Sequence, residues 1–353
     1  MNKYNTTIGI DLGDEYSAIC ELDSEGEIME QSKLRTSQEV FRKRFKSMDK
    51  ARIILETGTH SRWSSALLKK LGHEVIVANA RRLRMIFKNE NKTDKVDAQM
   101  LARVGRYDVK LLSGITHRGD KVHRDLEIIK ARHFLVEQRT STVVRIRSVV
   151  KSFGHSLPPC GARYFTKKTR EHLPAELEDT LGHLYDILEL LNEKIHLYDA
   201  QIEALSKSDY ATETQLLRAI PGVGPLTSMS FILIIEDPYR FAKSRDVGSY
   251  FGLRPRLDQS GNKDPQLPIT KCGNSMMRRL LVQASHHILG NFGPDCDLKR
   301  FGLRIAERGG KRAKKRAVIA VARKLSVLLH RLWVDGEIYD PFYNAKRRGE
   351  VTP

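Results

Sequence analysis

Apolar and polar residues alternate over the first 35 residues with the period of two that is typical of β-strands. Ile8 and Ile10 fall on one side of the first predicted strand, and Gly9 and Asp11 fall on the other. The alternation continues at residues 18–22, and a polar turn then leads into a third strand. The pattern predicts a meander of three antiparallel strands.

Helices and strands alternate after the predicted meander. The periodicity predicts a helix near residues 37–48, a strand at 52–56, a helix at 61–71, a strand at 74–78 and a helix that begins near Thr93. This order is typical of the ribonuclease-H-like fold, in which carboxylates gather at strand ends and on a late helix. We therefore predict an α/β ribonuclease-H-like (RuvC-like) domain over residues 1–120.

Long helices are predicted for residues 121–210. Apolar residues recur there at spacings of four and three over four heptads, namely Leu177, Leu181, Leu184, Leu188, Leu191, Ile195, Tyr198, Ile202 and Leu205. This heptad seam is typical of a coiled coil, either between protomers or within a helical hairpin of one chain. An earlier helix at about 123–151 has similar spacing, but His133, Thr140 and Arg147 interrupt its apolar face. That helix is expected to lie, partly solvated, against another element.

The pattern changes again in residues 211–353, which we predict to form a mostly α-helical domain. Segment 220–227, Ile-Pro-Gly-Val-Gly-Pro-Leu-Thr, matches the hairpin of a helix-hairpin-helix motif. In such a hairpin Gly222 and Gly224 let backbone N–H groups approach a phosphate at a helix N-terminus. The alternative is a plain turn between two helices.

The charge balance narrows the range of expected partners. The chain has 61 Lys and Arg residues against 43 Asp and Glu, a formal net charge of +18, which is typical of a protein that binds polyanions. A basic run at residues 308–316 precedes an apolar helix and adds five candidate nucleic-acid contacts: Lys311, Arg312, Lys314, Lys315 and Arg316. Many ordinary proteins are also basic, so the assignment of a nucleic-acid partner depends on sequence motifs rather than on charge.

The cysteines and the apolar runs argue against other classes of protein. Cys20, Cys160, Cys272 and Cys296 are scattered without a Cys-x-x-C pair, which predicts reduced thiols rather than a zinc site. The longest apolar run, near residues 231–235, is far too short to cross a membrane. We therefore expect a cytoplasmic protein with no membrane partner.

Four carboxylates are candidates for a metal site. Asp11 ends the first predicted strand, and Glu56 ends the fourth. Asp94 and Asp97 lie in the first turn of the helix that Thr93 is expected to cap. Clustered carboxylates repel one another unless cations lie among them, and oxygen-only ligands select Mg²⁺ or Mn²⁺, as in two-metal sites for phosphoryl transfer. The alternative is that each acid is structural, for example at a helix N-terminus.

Segment 8–13, Ile-Gly-Ile-Asp-Leu-Gly, also resembles the first phosphate loop of actin-like ATPases and sugar kinases. That loop normally continues with a hydroxyl residue and is matched by an Asp-x-Gly phosphate loop far downstream. No such second loop follows in this sequence, so the carboxylate site is the preferred interpretation.

Short motifs are spread in order across nearly the whole chain. The N-terminal part contains I-G-I-D at 8–11, L-E-T-G-T at 55–59, K-T-D-K-V-D-A-Q-M-L-A at 92–102 and L-V-E-Q-R-T at 135–140. The C-terminal part contains I-P-G-V-G-P-L-T at 220–227, Y-F-G-L-R-P-R at 250–256, Q-S-G at 259–261, I-T-K-C-G-N at 269–274, R-R-L-L-V-Q-A at 278–284 and V-A-R-K-L at 321–325. Together they resemble the insertion-sequence one-ten family of DEDD transposases, the bridge-RNA-guided serine recombinases, and the related pilin-gene invertases.

The resemblance implies specific roles for residues of this sequence. The family's four acidic metal ligands correspond to Asp11, Glu56, Asp94 and Asp97, and its nucleophilic serine corresponds to Ser260. The resemblance further implies a Mg²⁺-dependent recombinase that forms a phosphoserine intermediate on donor and target double-stranded DNA. It also implies a structured non-coding guide RNA, a homodimer or tetramer, and association with a bacterial nucleoid.

Ser260 lies in a glycine-flanked part of the loop at residues 252–274. The loop lies between Arg254 and Arg256 on one side and Lys263 and Lys271 on the other, of which Arg254, Arg256 and Lys271 are candidate nucleic-acid contacts. Serines in such loops are usually turn formers, so the resemblance rather than the local sequence assigns the nucleophile. Pro268 is a departure, because the family pattern leads us to expect glycine there.

Two other functions remain open at this point. A metal-dependent RuvC-like junction resolvase or nuclease would use the same carboxylates to activate water and would need no serine. A non-catalytic scaffold that binds RNA or DNA would carry acids that are purely structural. Replacement of Ser260 distinguishes the first two functions, and dependence on a divalent metal distinguishes both from the third.

Overall fold

The chain forms two compact units, residues 1–118 and 119–353, in a computed structural model. The structure describes residues 4–79, 93–260, 265 and 267–349. The first unit is a mixed α/β domain and the second is largely helical. The finer division of the second unit at residue 210 stays a prediction.

The first unit is built on one five-stranded sheet. Its strands are β1 (Thr7–Asp11), β2 (Tyr16–Leu22), β3 (Ile28–Arg35), β4 (Arg52–Glu56) and β5 (Glu74–Ala78), in the order β3-β2-β1-β4-β5. Strands β1, β2 and β3 pair antiparallel, whereas β4 lies parallel to both β1 and β5. The predicted meander and the two later strands are therefore confirmed, in an arrangement consistent with a ribonuclease-H-like domain.

Three helices cover the sheet: α1 (Gln38–Lys46), α2 (Ser61–Lys70) and α3 (Asp94–Tyr107). Ile8 and Ile10 point to one face, where they share a buried cluster with Phe41 and Phe45 of α1. Helix α3 covers the opposite face, and Thr93 caps it by accepting a hydrogen bond from the Val96 amide at 3.3 Å. The alternation along β1 therefore predicts correctly which of its residues face each side of the sheet.

The second unit contains ten further α-helices over its described residues. They are α4 (Asp120–Ser152), α5 (Phe165–Thr169), α6 (Glu178–Lys207), α7 (Ala211–Arg218), α8 (Pro225–Ile235), α9 (Arg245–Tyr250), α10 (Ser275–Leu289), α11 (Asp297–Ala306), α12 (Gly310–Asp335) and α13 (Tyr343–Arg347). Short 3₁₀ segments occur at Ala162–Tyr164, Arg170–His172, Ala175–Leu177 and Pro238–Arg240. Helix α8 is buried on all sides from Thr227 to Ile235, because it lies at the centre of the main apolar core.

Helices α4 and α6 pack against each other as a hairpin within one chain. The alternate seam positions Leu181, Leu188, Ile195 and Ile202 are buried in this unit. Two polar contacts cross the hairpin: Arg132 Nε donates to Asp199 Oδ1 at 2.8 Å, and an Arg139 guanidinium nitrogen donates to Asn192 Oδ1 at 2.8 Å. Leu177 is buried as well, so packing within one chain accounts for five of the nine seam positions, and a coiled coil between protomers stays a prediction.

The cysteines agree with the expectation of reduced thiols. All four cysteines are free, and burial raises the pKa of the Cys20 thiol, which keeps it protonated. Over the described ranges, every helix is too short or too polar to serve as a membrane span.

Candidate functional site

The parallel pairing of β1 and β4 brings Asp11 and Glu56 to the same edge of the sheet. Ile10 is in register with Leu55, so the next residues along the two strands, Asp11 and Glu56, are neighbours on strands about 4.8 Å apart. Both are only partly buried. Because side chains alternate along a strand, the two acids share the face on which Gly9 lies.

Helix α3 crosses that face with its N-terminus at the acidic edge. Near its C-terminus, Arg106 donates to the Tyr4 carbonyl at 2.9 Å, at the beginning of β1. Closer to its N-terminus, Ala98 and Ala102 lie directly against Gly9. The helix therefore runs antiparallel to β1, and its first turn, with Asp94 and Asp97, lies near the end of the strand that carries Asp11.

Glycine at position 9 permits this approach. A Cβ atom on Gly9 would overlap the backbone of Ala98 and Ala102. A glycine inside a strand pattern often marks close approach of another backbone, so Gly9 in the Ile-Gly-Ile-Asp segment is the sequence signal for this contact. Gly9 thus belongs to the framework of the site.

The four acids provide the oxygen donors that Mg²⁺ and Mn²⁺ prefer. They lie at one edge and one face, which fits a carboxylate metal centre in chemistry and topology. Among the described residues, however, no three His, Cys, Asp or Glu side chains form a group that could hold a metal ion.

His60 links the two loops that follow β1 and β4, a contact that no local pattern in the sequence predicts. Its Nε2 lies 3.3 Å from Asp14 Oδ1, and Trp63 Nε1 donates to His60 Nδ1 at 3.1 Å. The indole N–H can only donate, so Nδ1 must accept and the ring proton is on Nε2, where it donates to Asp14. The loops after Asp11 and Glu56 are therefore joined by one oriented imidazole.

Ser260 lies on a two-stranded ribbon, here called the serine ribbon, formed by residues 252–260 and 267–273. Arg256 N donates to the Pro268 carbonyl at 2.9 Å, and Thr270 N donates to the Arg254 carbonyl at 2.9 Å. Pro268 contributes only its carbonyl to this pairing, so the missing N–H of the proline is tolerated. Ser260 is exposed at the far end of the first strand of the ribbon.

Two glycines anchor the ribbon. Gly252 and Gly273 have φ values of +68° and +81°, and a Cβ on either would overlap backbone atoms of the other strand or of Tyr250. Arg278 of α10 donates to the carbonyls of Phe251 and Cys272 at 3.0 and 3.1 Å. The base of the ribbon is thus tightly packed, whereas its serine-bearing end is open to solvent.

The predicted cations of the serine ribbon are exposed: Arg254, Arg256 and Lys271. Arg254 and Arg256 are two residues apart on one strand, so they lie on the same face. Lys263 lies outside the described residues. The segment that leads to Ser260 therefore carries two exposed arginines and the exposed Asp258, with Lys271 on the paired segment.

The hairpin at residues 220–224 joins helices α7 and α8. Gly222, with φ +81°, packs against Ala284 and His287 of α10, while the space around Gly224 is open. Gly224 begins α8 without a side-chain cap, and it lines an open cleft of about 600 Å³ together with Arg218 and His287. A phosphate could approach Gly224, whereas Gly222 has a packing role; the helix-hairpin-helix assignment itself stays a prediction.

The basic run lies in the first turns of α12. Arg312, Lys314, Lys315 and Arg316 are exposed, while Ala313 and Ala317 are buried against the core. The side chain of Lys311 lies outside the described residues. The four described cations are therefore accessible to a polyanion.

Comparison with known proteins gives a consistent result in both units. The sequence pattern of an IS110-type DEDD transposase matches residues 8–154. The pattern of the transposase IS116/IS110/IS902 family matches residues 214–298. The first match spans Asp11, Glu56, Asp94 and Asp97, and the second spans Ser260.

Curated relatives extend the similarity over most of the chain. The transposase for insertion sequence element IS1111A of Coxiella burnetii is 27% identical over 342 residues, covering 94% of this chain and 90% of the relative. The transposase for insertion sequence element IS1328 of Yersinia enterocolitica is 27% identical over 66% of this chain and 69% of the relative. A pilin gene-inverting protein of Moraxella lacunata is 24% identical over 72% of this chain and 70% of the relative.

Proposed function

Because the chain belongs to the IS110/IS116 family of DEDD transposases, we propose that it cuts and rejoins DNA strands through a phosphoserine linkage at Ser260. As a transposase it is a DNA-processing recombinase that binds DNA, and the DEDD family depends on a divalent metal. The observation that carries the serine proposal is the exposed position of Ser260 at the end of a basic ribbon with a rigid base.

The reaction at Ser260 conserves the energy of the phosphodiester bond. The Ser260 hydroxyl oxygen bonds to phosphorus, the bond from phosphorus to the 3′ oxygen breaks, and the proton lost by serine is balanced by the one gained at the 3′-hydroxyl. A second 3′-hydroxyl then attacks the phosphoserine and releases Ser260. Rejoining therefore needs no ATP. The pilin gene-inverting relatives are named for gene inversion, a reaction that also requires cut strands to be resealed.

Asp11, Glu56, Asp94 and Asp97 are the residues that would hold Mg²⁺ or Mn²⁺. Such an ion polarises a phosphate and stabilises a leaving oxygen. Arg254 and Arg256 would neutralise charge on the phosphate that Ser260 attacks. Two duplexes require four strand cuts, which favours a tetramer, a dimer of dimers joined by the heptad seam, over a homodimer.

The test of this function is a suicide DNA substrate, nicked near the crossover so that the cut strand diffuses away before resealing. We expect a denaturation-resistant adduct of protein and DNA, with the phosphate on Ser260 by mass spectrometry. Ser260→Ala should form no adduct but should still bind DNA, because removal of one exposed hydroxyl costs little stability.

Ser275 provides the matched control, because it is also exposed and lies at the start of α10 in the same region. Ser275→Ala should form the adduct at the wild-type level. A phosphate found on Ser275, or free 5′-phosphates without any adduct, would contradict the role of Ser260. The second outcome supports the alternative, a metal-dependent RuvC-like resolvase or nuclease that activates water.

A structured non-coding guide RNA is the further partner that we propose, supported by the net charge of +18. Binding through phosphates predicts that log affinity falls linearly with log salt, by about 0.7–0.9 for each phosphate neutralised. Co-purification of a structured RNA and a steep salt dependence would support it. Purification free of RNA together with a flat salt response would contradict it.

A further inference from the structure

Helix α12 carries a row of exposed arginines that extends well beyond the basic run. Arg312, Arg316 and Arg323 are spaced by four and seven residues, so they return to within about 40° of one another around the helix and span about 16 Å of its length. Lys315 is exposed beside them, while Ala313, Ala317 and Val321 are buried. The exposed side at positions 312, 315, 316 and 323 is here called the arginine face.

The side chain of Arg323 lies against Gly248 of helix α9. A Cβ atom placed on Gly248 would lie 3.0 Å from Cγ of Arg323 and 3.6 Å from its Nε. Such a distance is tight for a carbon contact, so the arginine stem occupies the space that a larger residue at position 248 would fill. Gly248 itself is buried. The stem of Arg323 is thus held by packing against Gly248.

The charge of Arg323 is not neutralised by the parts of the chain that the structure describes. Neither Arg323 nor Arg312 has a carboxylate partner among the described residues. Arg331, two turns further along the same helix, shows the contrast: it donates to Asp335 at 3.0 Å and to Glu337 at 3.3 Å. Arg312 and Arg323 therefore keep their positive charge for a partner.

Gly248 also connects the arginine face to the serine ribbon. Its carbonyl accepts a hydrogen bond from the Leu253 amide at 2.9 Å, one residue before Arg254. Arg323 therefore lies beside the base of the ribbon whose far end carries Ser260. A polyanion that follows the arginine face arrives at this base.

We infer that the arginine face binds the phosphates of one strand of duplex DNA, and that Arg323 positions this strand where it enters the serine ribbon. Helical spacing fixes the arginines in a row about 16 Å long, and one strand of a duplex carries a phosphate for about every 3.4 Å of the helix axis, so the row can contact several phosphates of that strand. Binding of single strands relies on stacking on aromatic side chains, and residues 310–329 contain no aromatic residue. The inference rests on the proposed function only in the step from bound strand to Ser260.

The test measures affinity of the full chain for a 30-base-pair duplex between low and high salt. Arg323→Gln should weaken binding several-fold and reduce the slope of log affinity against log salt by about 0.9, the value for one phosphate contact on B-form DNA. Arg331→Gln is the matched control on the same helix, and it should leave the slope unchanged. Gly248→Ala should reproduce part of the Arg323→Gln effect, because the added methyl group displaces the arginine stem.

The outcomes distinguish this inference from the proposed function. An unchanged slope for Arg323→Gln overturns the inference even if Ser260 forms its adduct. A slope that changes only for a structured RNA, and not for the duplex, also overturns it. A reduced slope on duplex DNA supports it even if no serine adduct is found, since binding and chemistry are measured separately.

Discussion

Ala98 of helix α3 lies so close to Gly9 of strand β1 that a methyl group on Gly9 would overlap the Ala98 carbonyl oxygen. This contact fixes how closely the helix approaches the sheet, and with it the position of the Asp94 and Asp97 turn relative to Asp11. The arrangement of the four acids at this edge therefore depends on the absence of a side chain at Gly9.

Gly9→Ala should lower the free energy of unfolding by about 1–3 kcal/mol, because overpacking forces the helix away from the sheet. Strand exchange should fall as well, since the displaced helix carries two of the four acids. Denaturant unfolding and a recombination assay measure the two effects. Gly58→Ala, in the same unit, is the control for stability, because an added Cβ there meets no atom within 4 Å. Equal stability of the two variants would contradict the packing argument.

Asp11→Asn or Asp97→Asn should abolish strand exchange while leaving the fold and most DNA affinity intact. Each substitution keeps the size of the side chain but removes the charge that a divalent cation requires. Asp108→Asn, at the opposite end of α3, should retain activity. Undiminished recombination in either site variant, or full activity in EDTA, would contradict the role assigned to these acids.

Leu184→Asp combined with Leu191→Asp should lower the oligomeric state. Both residues are only half-buried in this chain, and Ile187, Leu190 and Leu197 nearby are 46%, 52% and 54% exposed, so apolar surface remains for a second copy. Sedimentation measures the change, and circular dichroism checks that the helices persist. If a folded variant sediments as wild type does, the heptad seam serves only the hairpin with α4.

Tyr210→Phe should reduce the free energy of unfolding by about 1.5 kcal/mol near neutral pH. The Tyr210 hydroxyl donates to Asp125 Oδ2 at 2.6 Å in a nearly buried position, and hydrogen bonds to charged groups are the stronger kind. The exposed Tyr239 provides the control, Tyr239→Phe, which should change little.

The stability contributed by Tyr210 should depend on pH in a defined direction. Burial, followed by the hydrogen bond to Asp125, raises the pKa of Tyr210 to about 12. A group whose pKa is raised on folding stabilises the protein fully below its unfolded pKa, about 10 for tyrosine, and loses this contribution as pH rises towards 12. The difference in unfolding free energy between wild type and Tyr210→Phe should therefore shrink between pH 10 and pH 12. A constant difference over this range would contradict the assignment.

Local patterns in the sequence were sufficient to predict most elements of the first unit. Alternation about Gly9 placed Asp11 at the end of β1, since a strand has a period of two, and Thr93 marked the start of α3 by its capping hydroxyl. These predictions succeeded because strand alternation and helix capping depend on neighbours in the chain. The identity of Ser260 as a candidate came from family resemblance, because a serine in a loop has no distinguishing local pattern.

The tertiary structure decided what depends on residues far apart in sequence. The heptad seam was visible in the sequence, but only packing shows that Leu188 and Ile195 are buried within one chain, because a repeat cannot specify its own partner. The same holds for His60 beside Asp14 and for Arg323 across Gly248, which are 46 and 75 positions apart. The sequence determined the chemistry and the local structure of this protein, whereas its tertiary packing determined which side chains meet, because contact between distant residues arises only when the whole core forms.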